Sequence, residues 1–253
     1  RHPTQRLTAT GALAVSSNTA SIKIGQQLGS KTLYQYLTDF GFGKSTGSHL
    51  PGESAGLLRP VSDWSGTSLP TFSYGHGYSV TALQATSVFA TIANDGVRIT
   101  PTVVAGTTDE SGNYIPAKDQ KSKRVVSAET AKEIRRMLES VVSVNGTAPT
   151  AAIPGYRVAG KTGTAMKFNS NCNCYSGYTS SFIGFAPADA PAYVVSVTIQ
   201  EPQGIHWGGA LGGPVFAKVM KFVLQSKHIA PSTTKLKAYP LTEAELKKSA
   251  SAK

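Results

Sequence analysis

The stretch that most limits how this 253-residue chain can fold runs from Tyr156 to Gln225. Three strand-like runs, YRVAGKTGT, YTSSFIGFAP and AYVVSVTIQ, follow one another across loops short enough for an antiparallel meander. GGPVFAKVMKFVLQ closes the stretch as a helix, and the spacing of Val215, Val219 and Val223 marks them as its expected packing face. A meander closed by a helix predicts a mixed α/β (α+β) architecture.

The preceding sequence reads as mostly helical. Residues 6–40 are helical with interruptions. Within SKTLYQYLTDFGFG, Ser30 is placed to cap a helix, Leu33, Leu37 and Phe40 share a face, and Gly41 suits the left-handed position past its end. Residues 41–77 are dense in Gly, Pro and Ser, a long irregular connection of the kind that often carries function. VTALQATSVFATIANDG predicts a second helix, with Thr81 or Ser79 at its cap and Gly96 past its end. VRITPTVV and KRVV are strand-like and flank the turn signal ESGN. Ser127 opens a third helix, in which Ile134, Met137, Leu138 and Val141 recur at helical spacing. From Pro231 onward the chain reads as a solvated tail, giving an expected division into residues 1–228 and a Pro- and Lys-containing tail over 229–253.

Composition narrows the class. Apolar residues make up 40% and charged residues only 15%, which fits a globular, loop-rich chain with one large or two modest domains. The net charge of +11 favours polyanions such as anionic lipid or cell-wall polymer, but no nucleic-acid motif accompanies it, so nucleic acid is not an expected partner. No apolar run approaches the ~18 residues of a spanning helix. The start, RHPTQ, carries no methionine or signal-like segment, which reads as a processed product, an excised domain or a fragment. Cys172 and Cys174 form a C-x-C, either two surface thiols or a local disulfide. Neither they nor His76 and His206 have the spacing of a metal site, and no cofactor is expected. Asn145-Gly146-Thr147 is formally a glycosylation triplet but reads as a turn.

Two short motifs carry chemistry. In VAGKTGTA, Lys161 and Gly163 share one strand face, while Thr162 and Thr164 offer hydroxyls. Gly163 lets a ligand lie against the strand, and an edge-strand N–H can donate to a developing oxyanion. The set suits an anionic ligand docked beside a strand. In AVSSNTASIK, Ser16 and Asn18 form an S-x-N, which alone is no more than a helix-cap pattern.

Together, S-x-N followed far downstream by K-T-G is two thirds of the set S-x-x-K, S-x-N and K-T-G found in serine penicillin-recognising enzymes. The chain resembles the transpeptidase domain of class B penicillin-binding proteins of the division type. LTATGALAVSSNTASIKIGQQLG, FSYGHGYSVTALQ, ANDGVRITP, VAGKTGTA, SFIGFAPAD and GGPVFAKVM carry the resemblance in family order, from about Arg6 to about Gln225. The implied fold is the penicillin-binding transpeptidase/β-lactamase-like one, an antiparallel sheet flanked by helices plus a helical subdomain, here incomplete.

The same resemblance implies acyl transfer from D-Ala-D-Ala stem peptides in septal peptidoglycan synthesis, on the extracytoplasmic side of the bacterial membrane, with an anchor upstream. It assigns Ser16, Asn18 and Lys161 to catalysis, and Thr162, Gly163, Thr164, Trp207 and Tyr74 to substrate binding. Trp207 reads equally well as a loop anchor. The family's acylating serine, in S-x-x-K, is missing: only STTK, Ser232 to Lys235, matches the string, in the wrong order. The expected partners are therefore an upstream S-x-x-K-containing part of the same protein, peptidoglycan stem peptides, β-lactams as inhibitors, and division proteins. Two other readings remain, a non-catalytic scaffold or binding module, and a β-lactamase or β-lactam sensor.

Overall fold

A computed structural model describes residues 5–251 except 49, 118, 119, 170, 235 and 237. Thr8 opens α1 (Ala9–Ala14), its hydroxyl accepting from the Gly11 N–H at 3.0 Å. Ser17 caps α2 (Asn18–Asp39), which breaks at Gly29, directly before the Ser30 expected to start a helix. At its end the Phe42 N–H donates to Leu37 O and the Gly41 N–H to Thr38 O, both at 3.0 Å, with Gly41 at φ +102°. This is the closure for which glycine is favoured, as the sequence suggests.

The irregular connection that follows contains a 3₁₀ turn at Val61–Asp63 and the short α3 (Ser68–Ser73). α4 (Ala82–Ala93) starts at Thr81, not Ser79, through a capping box with Gln84. The buried Gln84 side chain also donates to Lys44 O at 2.8 Å and Ala55 O at 3.0 Å, so one amide caps the helix and holds the loop.

β1 (Val97–Ile99) is shorter than the VRITPTVV run. Its antiparallel partner is β4 (Ser122–Arg124), and β2 (Gly106–Thr108) and β3 (Tyr114–Pro116) form a small hairpin between them. α5 (Ala128–Glu139) opens at its Ser127 cap as expected. The meander follows: β5 (Ala159–Asn169), β6 (Cys174–Ala186) and β7 (Tyr193–Gln200), antiparallel in the order β5-β6-β7. α6 (Gly208–Ser226) and α7 (Glu243–Ser251) complete the chain. Cys172 and Cys174 are joined as a disulfide at the β5–β6 tip. Among the described residues no helix is long and apolar enough to cross a membrane.

Strand alternation sorts the core into two layers. Val158, Phe182 and Ala186 pack toward α6 with Phe216, Met220 and Leu224. Ala159 and Phe185 point the other way, toward Leu13, Ile92, Ile134 and Leu138 of α1, α4 and α5. The sheet is thus covered on both faces.

The packing face of α6 differs from the expected one. Val215 and Val219 are 44% and 43% exposed, whereas Phe216, Met220 and Leu224 are fully buried. The face is set one residue along by Gly208, Gly209, Gly212 and Gly213, all buried, which let the first turns lie on the sheet and leave the larger side chains to fill the space beyond. Reading the valines alone misses this, because glycines carry no apolar signal.

The described residues between 229 and 251 are mostly exposed, as a solvated tail would be, but they are tied to the fold. They run back over the fold, donating from the Ser232 N–H to Gly155 O at 2.9 Å and accepting the Thr8 N–H on Leu241 O at 3.0 Å, before forming α7. These anchors are single polar groups at irregular intervals, which leave no periodic trace in sequence.

Phe216→Ala should destabilise the fold by about 3–5 kcal/mol, against about 0.5 kcal/mol or less for Val219→Ala, as measured by denaturant unfolding. Equal effects would refute the assigned packing face.

Candidate active site

The two layers decide where the K-T-G side chains point. Val158 faces α6 and Ala159 faces α1 and α5, so Lys161 shares the face of Ala159, while Thr162 and Thr164 share that of Val158. β5 lies at the edge of the sheet, with its outer side unpaired among the described strands.

α1 delivers Ser16 to this strand. The helix ends at Ala14 and the chain reverses through Ser16 in the left-handed region, at φ +56°. The turn is fixed by the Ser16 N–H on Leu13 O at 3.2 Å and the Ser17 N–H on Ala12 O at 2.9 Å. Ser17, not Ser16, then caps α2. Relieved of capping, the Ser16 hydroxyl accepts from Lys161 Nζ at 2.8 Å. Lys161 Nζ also lies 3.2 Å from Thr162 O and 3.4 Å from Thr162 Oγ1. These partners are uncharged oxygens, and burial pushes the ammonium down from 10.5 to about 8.

The other face is built against the first turn of α6. The Gly208 N–H donates to Thr164 Oγ1 at 3.1 Å. A Cβ at Gly208 would stand 2.4 Å from Gly163 O and 2.3 Å from Ser181 O, so only glycine permits this approach. Gly163 itself opposes Ser181 across the ladder, and a Cβ there would stand 2.5 Å from Ser181 Oγ. That atom is the rotatable end of a side chain, so packing alone does not require glycine at 163.

Thr147 is a residue that sequence reading passed over as part of a turn triplet. Its N–H donates to Ala14 O at 3.2 Å and its Oγ1 lies 3.0 Å from Thr162 Oγ1. It joins the end of α1 to the K-T-G strand. No sequence signal marks it, since both partners are remote in the chain.

The remaining candidates are spread more widely. Trp207 directly precedes Gly208 and is 63% exposed, too open to anchor a core. The adjacent His206 stacks on Tyr178 at 4.0 Å and lies 4.6 Å from the Trp207 ring. Its carbonyl accepts from the buried Ser180 hydroxyl. Asn18 is exposed in the first turn of α2, and no side-chain partner for it occurs among the described residues. Tyr74 ends α3, its ring 5.3 Å from His76, with no described hydrogen bond or ring contact to β5. Ser232 and Thr234 of STTK both donate to Asp189, at 2.8 and 2.7 Å; Lys235 lies outside the described residues.

Residues 1–221 match the family described as the penicillin binding protein transpeptidase domain. The penicillin-binding protein PbpB of Mycolicibacterium smegmatis is 38% identical over 238 residues, covering 90% of this chain and 37% of that protein. The peptidoglycan D,D-transpeptidase FtsI of Escherichia coli is 35% identical over 226 residues, covering 89% and 37%. Penicillin binding protein 3 of Mycobacterium tuberculosis, solved in complex with ampicillin, superposes with a TM-score of 0.88 at 38% identity, over 96% of this chain and 55% of that one. The chain thus has the transpeptidase-domain fold expected of it, and spans little more than a third of the length of these curated relatives.

The Lys161 amine should titrate near pH 8, measured by NMR of labelled lysine with Lys161→Met for assignment. Because the folded value lies below the unfolded one, the burial penalty is fully present below pH 8 and is relieved as pH rises toward 10.5. Affinity for an anionic ligand should fall as pH passes through the same value. A value at or above 10.5 would place the amine in solvent. Thr147→Val should cost about 1 kcal/mol, and Thr147→Ser much less, in denaturant unfolding.

Proposed function

This chain belongs to the penicillin binding protein transpeptidase domain family, and from that premise we propose that it supplies the S-x-N and K-T-G part of a serine-type peptidoglycan D,D-transpeptidase. The nucleophilic serine comes from an upstream S-x-x-K segment of the same protein. The observation that carries this reading is the 2.8 Å hydrogen bond from Lys161 Nζ to Ser16 Oγ, which joins two motifs 145 residues apart.

In this mechanism the upstream serine attacks the penultimate D-Ala carbonyl of a stem peptide, with the upstream lysine as base. The serine–carbon bond forms, the tetrahedral intermediate collapses, and the terminal D-Ala leaves with a proton. Ser16 relays that proton to the leaving nitrogen, its hydroxyl polarised by Lys161. Asn18 bonds the substrate amide. Thr162 and Thr164 hold the terminal carboxylate beside Lys161, and the Thr164 N–H is one oxyanion donor, the upstream serine N–H being the other. An amine of a second stem peptide then resolves the acyl-enzyme to form the cross-link. Trp207 and Tyr74 line the substrate cleft. β-Lactams enter the same route and stall at the acyl stage.

Septal cell-wall synthesis with division proteins, on the outer side of a bacterial membrane, is the setting this reading carries. Residues 1–228 form its catalytic portion and residues 229–253 a C-terminal extension. The partners are the upstream segment, stem peptides and β-lactams.

Intact-mass analysis of the complete protein with a labelled penicillin tests the proposal. One adduct should appear, on a peptide upstream of this chain. Ser16→Ala and Lys161→Ala should each slow acylation by about 10²-fold or more. An adduct within residues 1–253 would overturn the division of labour. No adduct at all would leave a non-catalytic scaffold or binding module as the function, and rapid loss of the adduct would indicate a β-lactamase.

A further inference from the structure

We propose that the described residues between 229 and 251 form a strap that fixes α1, and through it Ser16, against the K-T-G strand, an inference that rests on the catalytic reading of Ser16. The strap lies beyond residues 1–221, the part matched by the family.

The strap is anchored near both ends by hydrogen bonds to the rest of the fold. Its first anchor is Asp189, in the turn between β6 and β7, which accepts from Ser232 Oγ at 2.8 Å and Thr234 Oγ1 at 2.7 Å. Arg157, held by two bonds to the buried Glu139 at 2.6 and 2.8 Å, donates to Thr234 Oγ1 at 2.7 Å. The strap then crosses α5, where the Tyr239 hydroxyl donates to Glu133 at 2.7 Å.

Its second anchor is the start of α1. Thr8, the cap of that helix, donates its N–H to Leu241 O at 3.0 Å and its hydroxyl to Pro240 O at 2.7 Å. The approach is so close that a Cβ on Gly11 would stand 1.8 Å from Leu241 O. Gly11 lies within a helix, where alanine is the better residue. A glycine there is explained by the passage of the strap and by nothing in the helix itself.

α1 has six residues, about 9 Å of helix. Its far end is tied to Thr147 through Ala14 O and turns directly into Ser16. Leu13 and the buried Ala14 pack the C-terminal part of the helix into the core, so the strap contacts are what fix its N-terminal end. Held at both ends, the helix presents the Ser16 hydroxyl at a fixed distance from Lys161, the kind of placement on which proton transfer depends steeply. The strap residues are positioning residues, since none of them touches the reacting atoms.

The test uses the complete protein, upstream segment included, with a chromogenic β-lactam. The parent is compared with Gly11→Ala, Asp189→Asn and a truncation after Pro231. Rapid-mixing kinetics separates the dissociation constant of the initial complex from the acylation rate constant. Gly11→Ala and the truncation should each lower the acylation rate constant by about tenfold, with the dissociation constant within about twofold and the amide protection of β5–β7 unchanged. Gly11→Ala added to the truncation should cost nothing further, because Leu241 is gone. A folded Gly11→Ala protein that acylates at the parent rate overturns the proposal. So does loss of the folded state in both Gly11→Ala and Asp189→Asn, which would make the strap part of the core. If the parent itself is not acylated, the proposed function fails, and hydrogen exchange decides the strap separately: the Ser16 and Ser17 amides lose protection in Gly11→Ala if the strap holds α1, and keep it if it does not.

Discussion

A half-buried amine with no carboxylate beside it among the described residues is the constraint around which the rest of the site is arranged. Among the described residues Lys161 Nζ meets the oxygens of Ser16 and Thr162, and burial depresses its protonation. Taking an ammonium out of water without an ion pair is unfavourable, and neutral oxygens recover only part of its hydration. The deficit is one an incoming carboxylate can make good. The fold keeps it open by building each wall from something rigid: a short helix and its reversal on one side, the glycine-rich first turn of α6 on the other. Among the described residues neither wall brings an acid within reach of the amine.

The same arrangement depends on contacts between segments far apart in sequence. Residues near 16, 147 and 208 all contact the K-T-G stretch of β5, and each contact uses a backbone group or a hydroxyl. Ion pairs lie elsewhere: Arg157–Glu139 fastens α5 to the segment leading into β5, and Arg135–Asp95 fastens α5 to the end of α4. Fixed dipoles surround Lys161 and Ser16 while full charges secure the frame, and no ion pair of the frame contributes to the shift at Lys161.

Much of this was legible in the sequence because it is local. Capping at Thr81 and Ser127, the left-handed Gly41 and the alternation along β5 and β6 are decided by residues a few positions apart. The order of the S-x-N and K-T-G motifs pointed to the family, and the strand period put Lys161 and Thr162 on opposite faces. What escaped was non-local. The face of α6 is chosen by glycines that carry no apolar signal. Thr147 acts through partners that only the folded chain brings near, and residues 229–251 are held by scattered polar contacts. None of these has a period, so none can be read before the fold is known.

On the catalytic role proposed for Ser16, the left-handed turn there sets stability and chemistry against each other at a single position. A serine at φ +56° carries a backbone penalty of about 1–2 kcal/mol that glycine avoids and asparagine lessens. Selection for thermal robustness alone would therefore remove the hydroxyl while leaving the fold intact or improved. Libraries screened by heat or protease resistance should drift toward inert variants at this site first, and a chain that had lost its enzymatic task would betray the loss here before anywhere in its core.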